Sequence, residues 1–395
     1  MVGRERRFEP YTAIKITISE ANSDLLHDIL STNIELPTPK ISKPVMLYGA
    51  GNLGKMAKDF FDFFKIPILE VIDIYADKHR VDEFWKDAKI TDPSDISKQD
   101  KENLLVVCIV NSPFVPLRDK LTKEGWKNVV HFYDVSQAYN NSHPLNNGWV
   151  LKKPQKEDKT RIEKIFLSLA DDLSRAHYLQ FLAWRKLRLE LHTTDATLNT
   201  ANRFFIPQVA SVLHKHEVFV DCGAYNGAVV IKFLKLVGNK YRQIYAIEPD
   251  PKNFDILKKN VTSLPKIKTI KAALSKKSSR ENFYSGFNLA SRLDPAGNSK
   301  VKTFTLDKLN IPATYIKMHL EGGELEALMG SEKTIKKFRP ILAVTIYHNE
   351  LGVSKIPWYQ MKIAKDYDFY MRLHSWCGTG AVLYAIPKER ENNHD

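Results

Sequence analysis

Hydrophobic and polar positions twice follow the same order along the chain: an apolar run, a glycine-containing loop, and a stretch with apolar residues at helical spacing. The first copy is KPVMLYGAGNLGKMAKDFFDFF, and the second is EVFVDCGAYNG with AVVIKFLKLVG after it. Another apolar run follows each copy, ILEVIDIYAD in the first case and QIYAIEPD in the second. Short buried strands that alternate with amphipathic helices are typical of parallel sheets covered by helices. The pattern therefore predicts an α/β protein with two Rossmann-type doubly wound domains.

The expected domain boundaries lie where this periodicity stops. We predict a small Rossmann-like domain of the nucleotide-binding type at 41–140 and a larger α/β domain at 216–388. Residues 141–215 are interpreted as a linker and helical bridge, because aperiodic Asn, Gly and Pro residues precede two stretches of helical spacing. Residues 1–40 are interpreted as a lead-in, and residues 389–395 as a tail.

The first glycine loop carries a complete G-x-G-x-x-G, formed by Gly49, Gly51 and Gly54, between a strand and a helix. Asp73 follows Gly51 by 22 residues, where the ribose-binding acid of a dinucleotide fold is expected. Two interpretations stay open for this N-terminal domain. It binds a nucleotide or nucleotide-sugar, or it is a plain scaffold, because a fold alone does not settle function.

The second loop differs in its glycine spacing. A strand ends in Asp221, and the small residues Gly223, Ala224 and Gly227 lead into a helix. Such a loop lets backbone amides approach a ligand closely, near the partial positive charge of the helix N-terminus. Glu248 ends the next strand, 25 residues after Gly223. An acid at that position can accept hydrogen bonds from both hydroxyls of a ribose, so the predicted ligand contains a ribose.

Charged residues cluster around a third strand, in the segment TYIKMHLEGGELEAL. Alternation along the strand places Lys317 and His319 on one side, and Glu321 and Glu324 follow at its carboxyl end. Burying such groups is costly unless they pair, so these four are the catalytic candidates. His348 ends the following strand, and strand adjacency would bring it near His319. The two histidines could bind a divalent metal, His319 could remove a proton, or both could simply be hydrogen-bonded.

Four motifs follow one another along the chain: VFVDCGAYNG, IEPD, YIKMHLEGGELEALMG and FRPILAVTIYH. In these motifs and their order, the chain resembles the FkbM family of S-adenosylmethionine-dependent methyltransferases from about Asp172 to Pro387. The resemblance implies a seven-stranded class I methyltransferase sheet with an antiparallel strand in its last hairpin. It also implies S-adenosylmethionine as the cofactor and a sugar or glycan-precursor hydroxyl as the acceptor.

The resemblance assigns roles to several positions. Asn226 would border the methionine part of the donor together with the glycines, and Ala272 and Ala273 would lie beside the adenine. The polar stretch at 280–306 would lie over the active site. The usual family pattern, Lys-x-Asp-x-Glu-Gly-x-Glu, has an aspartate where this chain has His319. If that position binds a metal, histidine would favour softer divalent ions over magnesium.

Composition narrows the choice of partners. The formal net charge of +13 suggests an acidic partner, but no block of five or six like charges appears, so nucleic acid is not expected. Three cysteines beside apparent strands suggest free thiols in a reducing compartment. No apolar run approaches the ~20 residues of a membrane helix, and we expect a cytoplasmic protein. The sequence leaves the oligomeric state open.

These patterns predict a methyltransferase that uses S-adenosylmethionine, with three alternatives left open. The first is a nucleotide-binding or nicotinamide-dependent oxidoreductase, although no Tyr-x-x-x-Lys or cysteine-based hydride-transfer site is found. The second is an RNA methyltransferase, whose RNA binding would weaken steeply with added salt. The third is a protein that binds the donor without turnover because His319 replaces the usual aspartate.

Overall fold

The computed structural model contains four β-sheets, of seven, five, four and two strands. None of the helices in the part of the chain that it describes is long and apolar enough to cross a membrane. The first seven residues, residues 144–153 of the predicted linker and bridge, and the tail beyond residue 391 lie outside the described residues. The structure describes residues 8–36, 38–143, 154–238, 240–286 and 290–391.

A five-stranded parallel sheet with flanking helices forms the N-terminal unit. Its strand order is β4-β3-β2-β5-β6, with the glycine loop after the central strand. The elements up to this point of the chain are β1 (Ala13–Ile16), α1 (Ser23–Ser31), β2 (Val45–Tyr48), α2 (Asn52–Phe63), β3 (Ile68–Ile72), α3 (Ala76–Arg80), β4 (Ile90–Thr91), β5 (Leu104–Val107), α4 (Phe114–Lys123), β6 (Asn128–His131) and α5 (Phe132–Ala138).

Two details of the N-terminal unit are not apparent from the sequence pattern. Strand β4 has only two residues and therefore shows no alternation. The apolar run NVVHFYDV contains both the end of a strand, at His131, and the helix that follows it. The imidazole Nδ1 of His131 accepts a hydrogen bond from the backbone N–H of Tyr133 at 3.2 Å. This side-chain cap starts the helix, and strand propensity does not reveal it.

Two helices connect the N-terminal unit to the rest of the chain, as the helical spacing predicts. The second of them is buried along most of its length, because it packs against β17, β7 and α1. The segment predicted as a lead-in is part of the fold, since β1 pairs in parallel with β7. The connecting elements are α6 (Lys156–Leu167), α7 (Asp172–Leu187), β7 (Glu190–Thr193) and α8 (Pro207–Ala210).

The C-terminal unit is built on the seven-stranded sheet, whose strand order is β10-β9-β8-β15-β16-β18-β17. Strand β18 is antiparallel to both neighbours, and the other pairings are parallel. The predicted methyltransferase-type sheet with an antiparallel last hairpin is confirmed. Its elements are β8 (Val218–Cys222), α9 (Ala228–Val237), β9 (Gln243–Ile247), α10 (Pro251–Val261), β10 (Ile267–Ile270), β11 (Ala273–Leu274), β12 (Ser279–Tyr284), β13 (Arg292–Leu293), β14 (Ser299–Phe304), α11 (Leu306–Leu309), β15 (Tyr315–Met318), α12 (Glu324–Met329), α13 (Glu332–Phe338), β16 (Ile341–Thr345), α14 (Lys355–Ile363), β17 (Tyr367–Leu373), β18 (Ala381–Pro387) and α15 (Lys388–Glu391).

A small four-stranded sheet, in the order β11-β14-β12-β13, is inserted after β10. Only the first part of the apolar run IKTIKAALS belongs to the seven-stranded sheet. Its second part, β11, pairs in parallel with β14 of the insertion. Ala272 lies at the change from one sheet to the other. The chain therefore leaves the main sheet at the edge where the carboxyl ends of β8, β9 and β15 meet.

The turn between β17 and β18 contacts the N-terminal unit. The backbone N–H of Trp376 donates to the carbonyl oxygen of Val110 at 2.7 Å, and the Ser375 hydroxyl donates to the same oxygen. A buried ion pair joins the helical bridge to the N-terminal unit, since the Arg188 guanidinium at the end of α7 lies 2.7 Å from the Asp134 carboxylate. The two units are thus joined by hydrogen bonds as well as by the helical bridge.

Candidate active site

The loop after β8 is held against the end of β15 by a glycine that no other residue can replace without strain. Gly223 has φ +77°, and a Cβ atom there would lie 2.0 Å from the carbonyl oxygen of His319. Its backbone N–H donates to Ile247 O at 2.9 Å. The φ angle and the close contact both require glycine. This packing brings the loop, the end of β9 and the end of β15 to one place.

Glu248 connects the loop to the end of β9. Its Oε2 accepts from the backbone N–H of Tyr225 at 2.8 Å, and its Oε1 accepts from that of Asp250 at 3.0 Å. Burial raises the pKa of this carboxyl to about 7, although these two hydrogen bonds lower it. Each carboxylate oxygen retains a further lone pair. Glu248 can therefore accept additional hydrogen bonds from a ligand.

A buried ion pair lies beneath the loop. Lys317 Nζ is 2.7 Å from Asp221 Oδ1 and donates to the carbonyl oxygen of Gly223 at 2.8 Å. Burial raises the pKa of Asp221, and the neighbouring Lys317 cation acts in the opposite direction. Asp221 Oδ2 has no hydrogen-bond partner among the described residues. Lys317 and Asp221 thus fix the loop backbone, and the Lys317 ammonium is directed at the loop.

A cavity opens above these residues at the carboxyl edge of the sheet. One wall comes from the glycine loop and the ends of β9 and β10, and the opposite wall comes from the segment after β15. The inserted sheet and the segment before it cover the cavity. The side chains and backbone that line it belong to Gly223, Tyr225, Ile247, Glu248, Pro249, Asn253, Ala272, Ala273, Leu274, Phe283, Ser291, Arg292, Leu293, His319, Leu320, Glu321 and Gly323.

Asp250 joins the cavity floor to its cover. Its Oδ1 accepts from the backbone N–H groups of Lys252 and Asn253 and so caps α10. Its Oδ2 accepts from the Ser291 hydroxyl at 3.0 Å and from the Gly286 N–H at 3.1 Å. One carboxylate thereby fixes both the strand end that carries Glu248 and the inserted segment.

Two histidines and a glutamate, hereafter the histidine cluster, lie together on the side of the cavity away from Glu248, where His319 and Glu321 line it and His348 lies behind them. His319 Nε2 lies 3.0 Å from Glu321 Oε1 and 3.0 Å from His348 Nε2. His348 Nδ1 lies 3.1 Å from Glu321 Oε2. Burial lowers the pKa of His319 to about 3. Burial raises the pKa of Glu321, but the two imidazoles outweigh this effect and hold the carboxyl well below its usual range. The sequence-based expectation that strand adjacency brings the two histidines together is confirmed.

Glu324 holds the turn that carries Glu321. Its Oε1 accepts from the Leu320 N–H at 2.9 Å and from the Thr345 hydroxyl at 2.7 Å, and its Oε2 accepts from the Gly322 N–H at 3.0 Å. Glu324 is almost fully buried. Its carboxylate is therefore engaged in the turn, and its role there is positional.

The predicted site residues fall into two groups. Six line the cavity, namely Gly223, Glu248, Ala272, Ala273, His319 and Glu321. The others support the backbone: Asn226 caps α9 through Ala228 N–H, Gly227 is the N-cap of that helix with φ +85°, and Ala224 N–H donates to Ile247 O. Lys317, Asp221 and Glu324 are buried beside the cavity as described above, and His348 reaches it through His319.

Sequence reasoning missed several residues that line the cavity. Tyr225 lies inside the glycine loop, and Asn253 lies in the first turn after IEPD, so both could have been found from the motifs themselves. Phe283 and Arg292 reach the cavity from the inserted sheet. They carry no local signal, because their position depends on pairing between strands that are distant in sequence.

The first glycine loop has the expected fingerprint geometry. A Cβ atom at Gly54 would lie 2.0 Å from Gly49 O, so strand and helix approach closely there. Asp73 Oδ2 accepts from Ala50 N–H at 2.7 Å. The Trp85 indole packs beside the loop, is buried, and donates to Ala50 O at 3.0 Å. Asp73 and Trp85 therefore both form hydrogen bonds with the loop backbone. Gly51, the middle glycine, is exposed.

Comparison with known proteins gives a family match within the C-terminal unit and a structural match over most of the chain. Residues 221–372 match the model of the methyltransferase FkbM domain. Among solved structures, the chain is similar to methyltransferase FkbM from Methylobacillus flagellatus KT, with 16% sequence identity, a TM-score of 0.60, and coverage of 93% of this chain and 98% of that one. At this identity the structural likeness concerns the fold. No curated protein matches the sequence.

Two further solved structures are more distant. One is precorrin-6y C5,15-methyltransferase from Geobacter metallireducens GS-15, with 13% identity, 49% and 96% coverage of the two chains, and a TM-score of 0.31. The other is a SAM-dependent methyltransferase from Aquifex aeolicus, with 13% identity, 45% and 87% coverage, and a TM-score of 0.27. The assignment rests on the family match, on the order of the seven strands, and on one cavity that residues of three of the four motifs line. Residues 221–372 therefore form a methyltransferase domain of the FkbM family.

Proposed function

We propose that the protein transfers a methyl group from S-adenosylmethionine to a hydroxyl group of a sugar or glycan precursor. One observation carries the proposal: a single cavity has a ribose-type acid, Glu248, on one wall and a histidine–glutamate pair on the other. The first wall suits a nucleoside donor. The second offers groups that can bind and deprotonate a hydroxyl.

The donor side can be assigned residue by residue. Glu248 is placed to accept hydrogen bonds from the ribose hydroxyls with its remaining lone pairs. Ala272 and Ala273 line the cavity beside it, and their small side chains leave space for a flat base. Gly223 and Tyr225 present the loop backbone where the methionine part of the donor would lie. The bound donor supplies a methyl group made electrophilic by the adjacent sulfonium.

The acceptor side is formed by the insertion and by the segment after β15. Phe283 supplies an aromatic surface, while Ser291 and Arg292 supply polar groups, a mixture that suits the apolar and hydroxylated faces of a sugar. In the reaction the acceptor oxygen forms a bond to the methyl carbon, the carbon–sulfur bond breaks, and S-adenosylhomocysteine is released. The hydroxyl proton passes to the imidazole of His319, which lines the cavity beside Glu321. Alignment of the two reactants can account for about 7–11 kcal/mol of the barrier at best.

Calorimetric titration with S-adenosylmethionine, S-adenosylhomocysteine and a nicotinamide dinucleotide tests the donor. We expect micromolar binding of both sulfur ligands and none of the dinucleotide. Binding of the dinucleotide instead would make the first glycine loop the active one and refute the proposal. The acceptor is then sought by measuring S-adenosylhomocysteine formation with nucleotide-sugars, oligosaccharides and RNA. Formation with RNA alone would contradict the sugar assignment.

A further inference from the structure

Polar atoms converge in the histidine cluster beyond what hydrogen bonding can satisfy. His319 Nε2 faces three partners: Glu321 Oε1 at 3.0 Å, His348 Nε2 at 3.0 Å and the Tyr347 hydroxyl at 3.3 Å. One imidazole nitrogen carries at most one hydrogen. It therefore either donates its hydrogen to one partner or accepts from one partner through its single in-plane lone pair, and the remaining close contacts stay unsatisfied.

His348 adds a second unsatisfied group at the same place. It is 5% exposed, and its Nδ1 makes no hydrogen bond within the described residues, although Glu321 Oε2 lies 3.1 Å away. The distance is short, but its direction does not meet hydrogen-bond geometry. A buried imidazole nitrogen without a hydrogen bond costs free energy unless another ligand satisfies it.

The backbone holds the glutamate in this arrangement at some cost. Glu321 has φ +51°, a left-handed conformation that is strained for a non-glycine residue. The turn is fixed by Glu324, and by Asn349 Nδ2, which donates to Gly322 O at 3.0 Å. Strain that the surrounding structure maintains is common at ligand sites.

We propose that His319, Glu321 and His348 bind one divalent transition-metal ion of the Zn²⁺ class. One ligand atom from each residue lies within 4.8 Å of the others. Separations near 3 Å match neighbouring ligands around an ion that binds nitrogen and oxygen at about 2.1 Å. Two imidazoles and one carboxylate favour Zn²⁺ and related ions over Mg²⁺, which prefers oxygen ligands.

The ion would lie in the cavity wall opposite Glu248, because His319 and Glu321 both line the cavity. Three protein ligands leave further coordination positions open, as in catalytic zinc sites. On the proposed function, on which this role rests, an open position would bind the acceptor hydroxyl and lower its pKa. The metal site itself does not depend on that function.

Metal binding is tested on the purified full chain after treatment with a chelator and dialysis. We expect one equivalent of Zn²⁺ by calorimetry, one equivalent of Co²⁺ with visible absorption bands, and no comparable binding of Mg²⁺. His348→Gln removes one ligand and should weaken Zn²⁺ binding by more than the roughly 10- to 100-fold that loss of an outer-shell partner causes. His216→Gln is the matched control, because His216 is exposed and distant from the cluster in sequence.

Zn²⁺ should also raise the melting temperature of the wild type and of His216→Gln, but not that of His348→Gln, since a ligand that binds only the folded state stabilises it. If His348→Gln fails to fold, Glu321→Gln takes its place. No stoichiometric Zn²⁺ binding, or equal binding by the wild type and both cluster variants, would overturn the site. Titration of S-adenosylmethionine into each sample separates the two failures, because loss of donor binding concerns the proposed function and loss of Zn²⁺ binding concerns the ion.

Discussion

The two glycine loops of the chain share one backbone arrangement. In the N-terminal unit, Gly49 N–H donates to Ile72 O at 2.8 Å, and in the C-terminal unit, Gly223 N–H donates to Ile247 O at 2.9 Å. An acid at the end of the second strand then accepts from a loop N–H in both, Asp73 from Ala50 and Glu248 from Tyr225. The first glycine of each loop also lies against a carbonyl at the end of a neighbouring strand, that of Cys108 or His319.

The side chains on this common backbone differ. The buried pair Asp221–Lys317 lies on adjacent strands, β8 and β15. The same register in the N-terminal unit joins Leu47 to Val106, which are fully buried and apolar. His319 and Cys108 occupy equivalent positions, because the backbone N–H of each residue donates to the last residue of the adjacent central strand. The C-terminal unit therefore has an imidazole where the N-terminal unit has a buried thiol.

The space above the two loops also differs. The C-terminal loop faces the cavity, whereas the segment after Cys108 is in contact with the turn between β17 and β18 through Trp376 and Val110. Trp85 packs against the N-terminal loop itself. A Rossmann-type loop by itself indicates a backbone geometry. Charged groups and free space at the neighbouring strand ends are needed before a function can be inferred.

The largest expected effect comes from breaking the ion pair that distinguishes the two units. Lys317→Val leaves the Asp221 carboxylate buried without its cation, which should lower the free energy of unfolding by about 3–5 kcal/mol. Adding Asp221→Leu recreates the apolar pair of the N-terminal unit and should restore most of this loss. Urea unfolding of the wild type, both single variants and the double variant measures the coupling. Equal stability of the Lys317→Val single variant and the wild type would contradict the prediction.

The next effect concerns the two strand-end acids. Glu248→Gln removes a charged acceptor from the cavity and should weaken S-adenosylmethionine binding by roughly 10- to 100-fold, as expected for lost hydrogen bonds to a charged group. Asp73→Asn makes the same change at the first loop and should leave the affinity unchanged. Calorimetry of both variants compares the loops directly. A larger loss with Asp73→Asn would reverse our assignment of the donor site.

The pH dependence of donor binding should report the pKa of Glu248. Burial raises this pKa to about 7, so the carboxyl is protonated below that pH and ionised above it. The affinity for S-adenosylmethionine should therefore rise between about pH 6 and about pH 8, a range that extends roughly one pH unit on each side of the pKa. Glu248→Gln should lack this step. Titrations in matched buffers measure it, and an unchanged step in the variant would assign the titration to another group.

The same raised pKa fixes the sign of the group's contribution to stability. The folded state holds the Glu248 proton more tightly than the unfolded chain does, because the pKa in the folded state exceeds the usual value of 4.5. The contribution of Glu248 to the free energy of unfolding is therefore fully favourable below the pKa of the unfolded chain. It is lost as the pH rises through about 7.

The smallest expected effect lies at the first loop. Trp85→Phe removes the hydrogen bond from the indole to Ala50 O while keeping an aromatic ring in the core. We expect the free energy of unfolding to fall by about 1 kcal/mol. Donor affinity should stay unchanged, because Trp85 belongs to the N-terminal unit. Urea unfolding and calorimetry on the same preparation test both statements, and a clear change in donor affinity would show that the two loops are coupled.

Sequence reasoning located what depends on local pattern. Both glycine loops, the acids Asp73 and Glu248, and the pair of cluster histidines follow from strand–loop–helix periodicity and from the rule that parallel strand ends meet at one edge. The sequence pattern did not indicate that the single apolar run around Ala272 contributes strands to two different sheets. Residues such as Trp85 and Arg292 reach their positions through contacts distant in sequence. Local patterns contain no signal for such contacts.

The roles of individual charged residues were also beyond the sequence. Lys317 and Glu324 belong to the same motif as His319 and Glu321, yet their side chains bind backbone groups beside the cavity. Which side chain faces the cavity depends on the left-handed conformation of Glu321 and on the close packing of Gly223. Such backbone details are determined by tertiary structure.

The parallel pairing of β1 with β7 bears on the order in which the chain folds. Ala13 pairs with Glu190, and Tyr11 N–H donates to Arg188 O. Strand β1 therefore cannot form these hydrogen bonds until β7 has been synthesised, much later. Nearly half of the chain, including the whole N-terminal unit, lies between these strands. The N-terminal unit can form during synthesis, as domains commonly do. We expect the contacts that join the two units to form late in folding, because contacts between segments so distant in sequence form slowly.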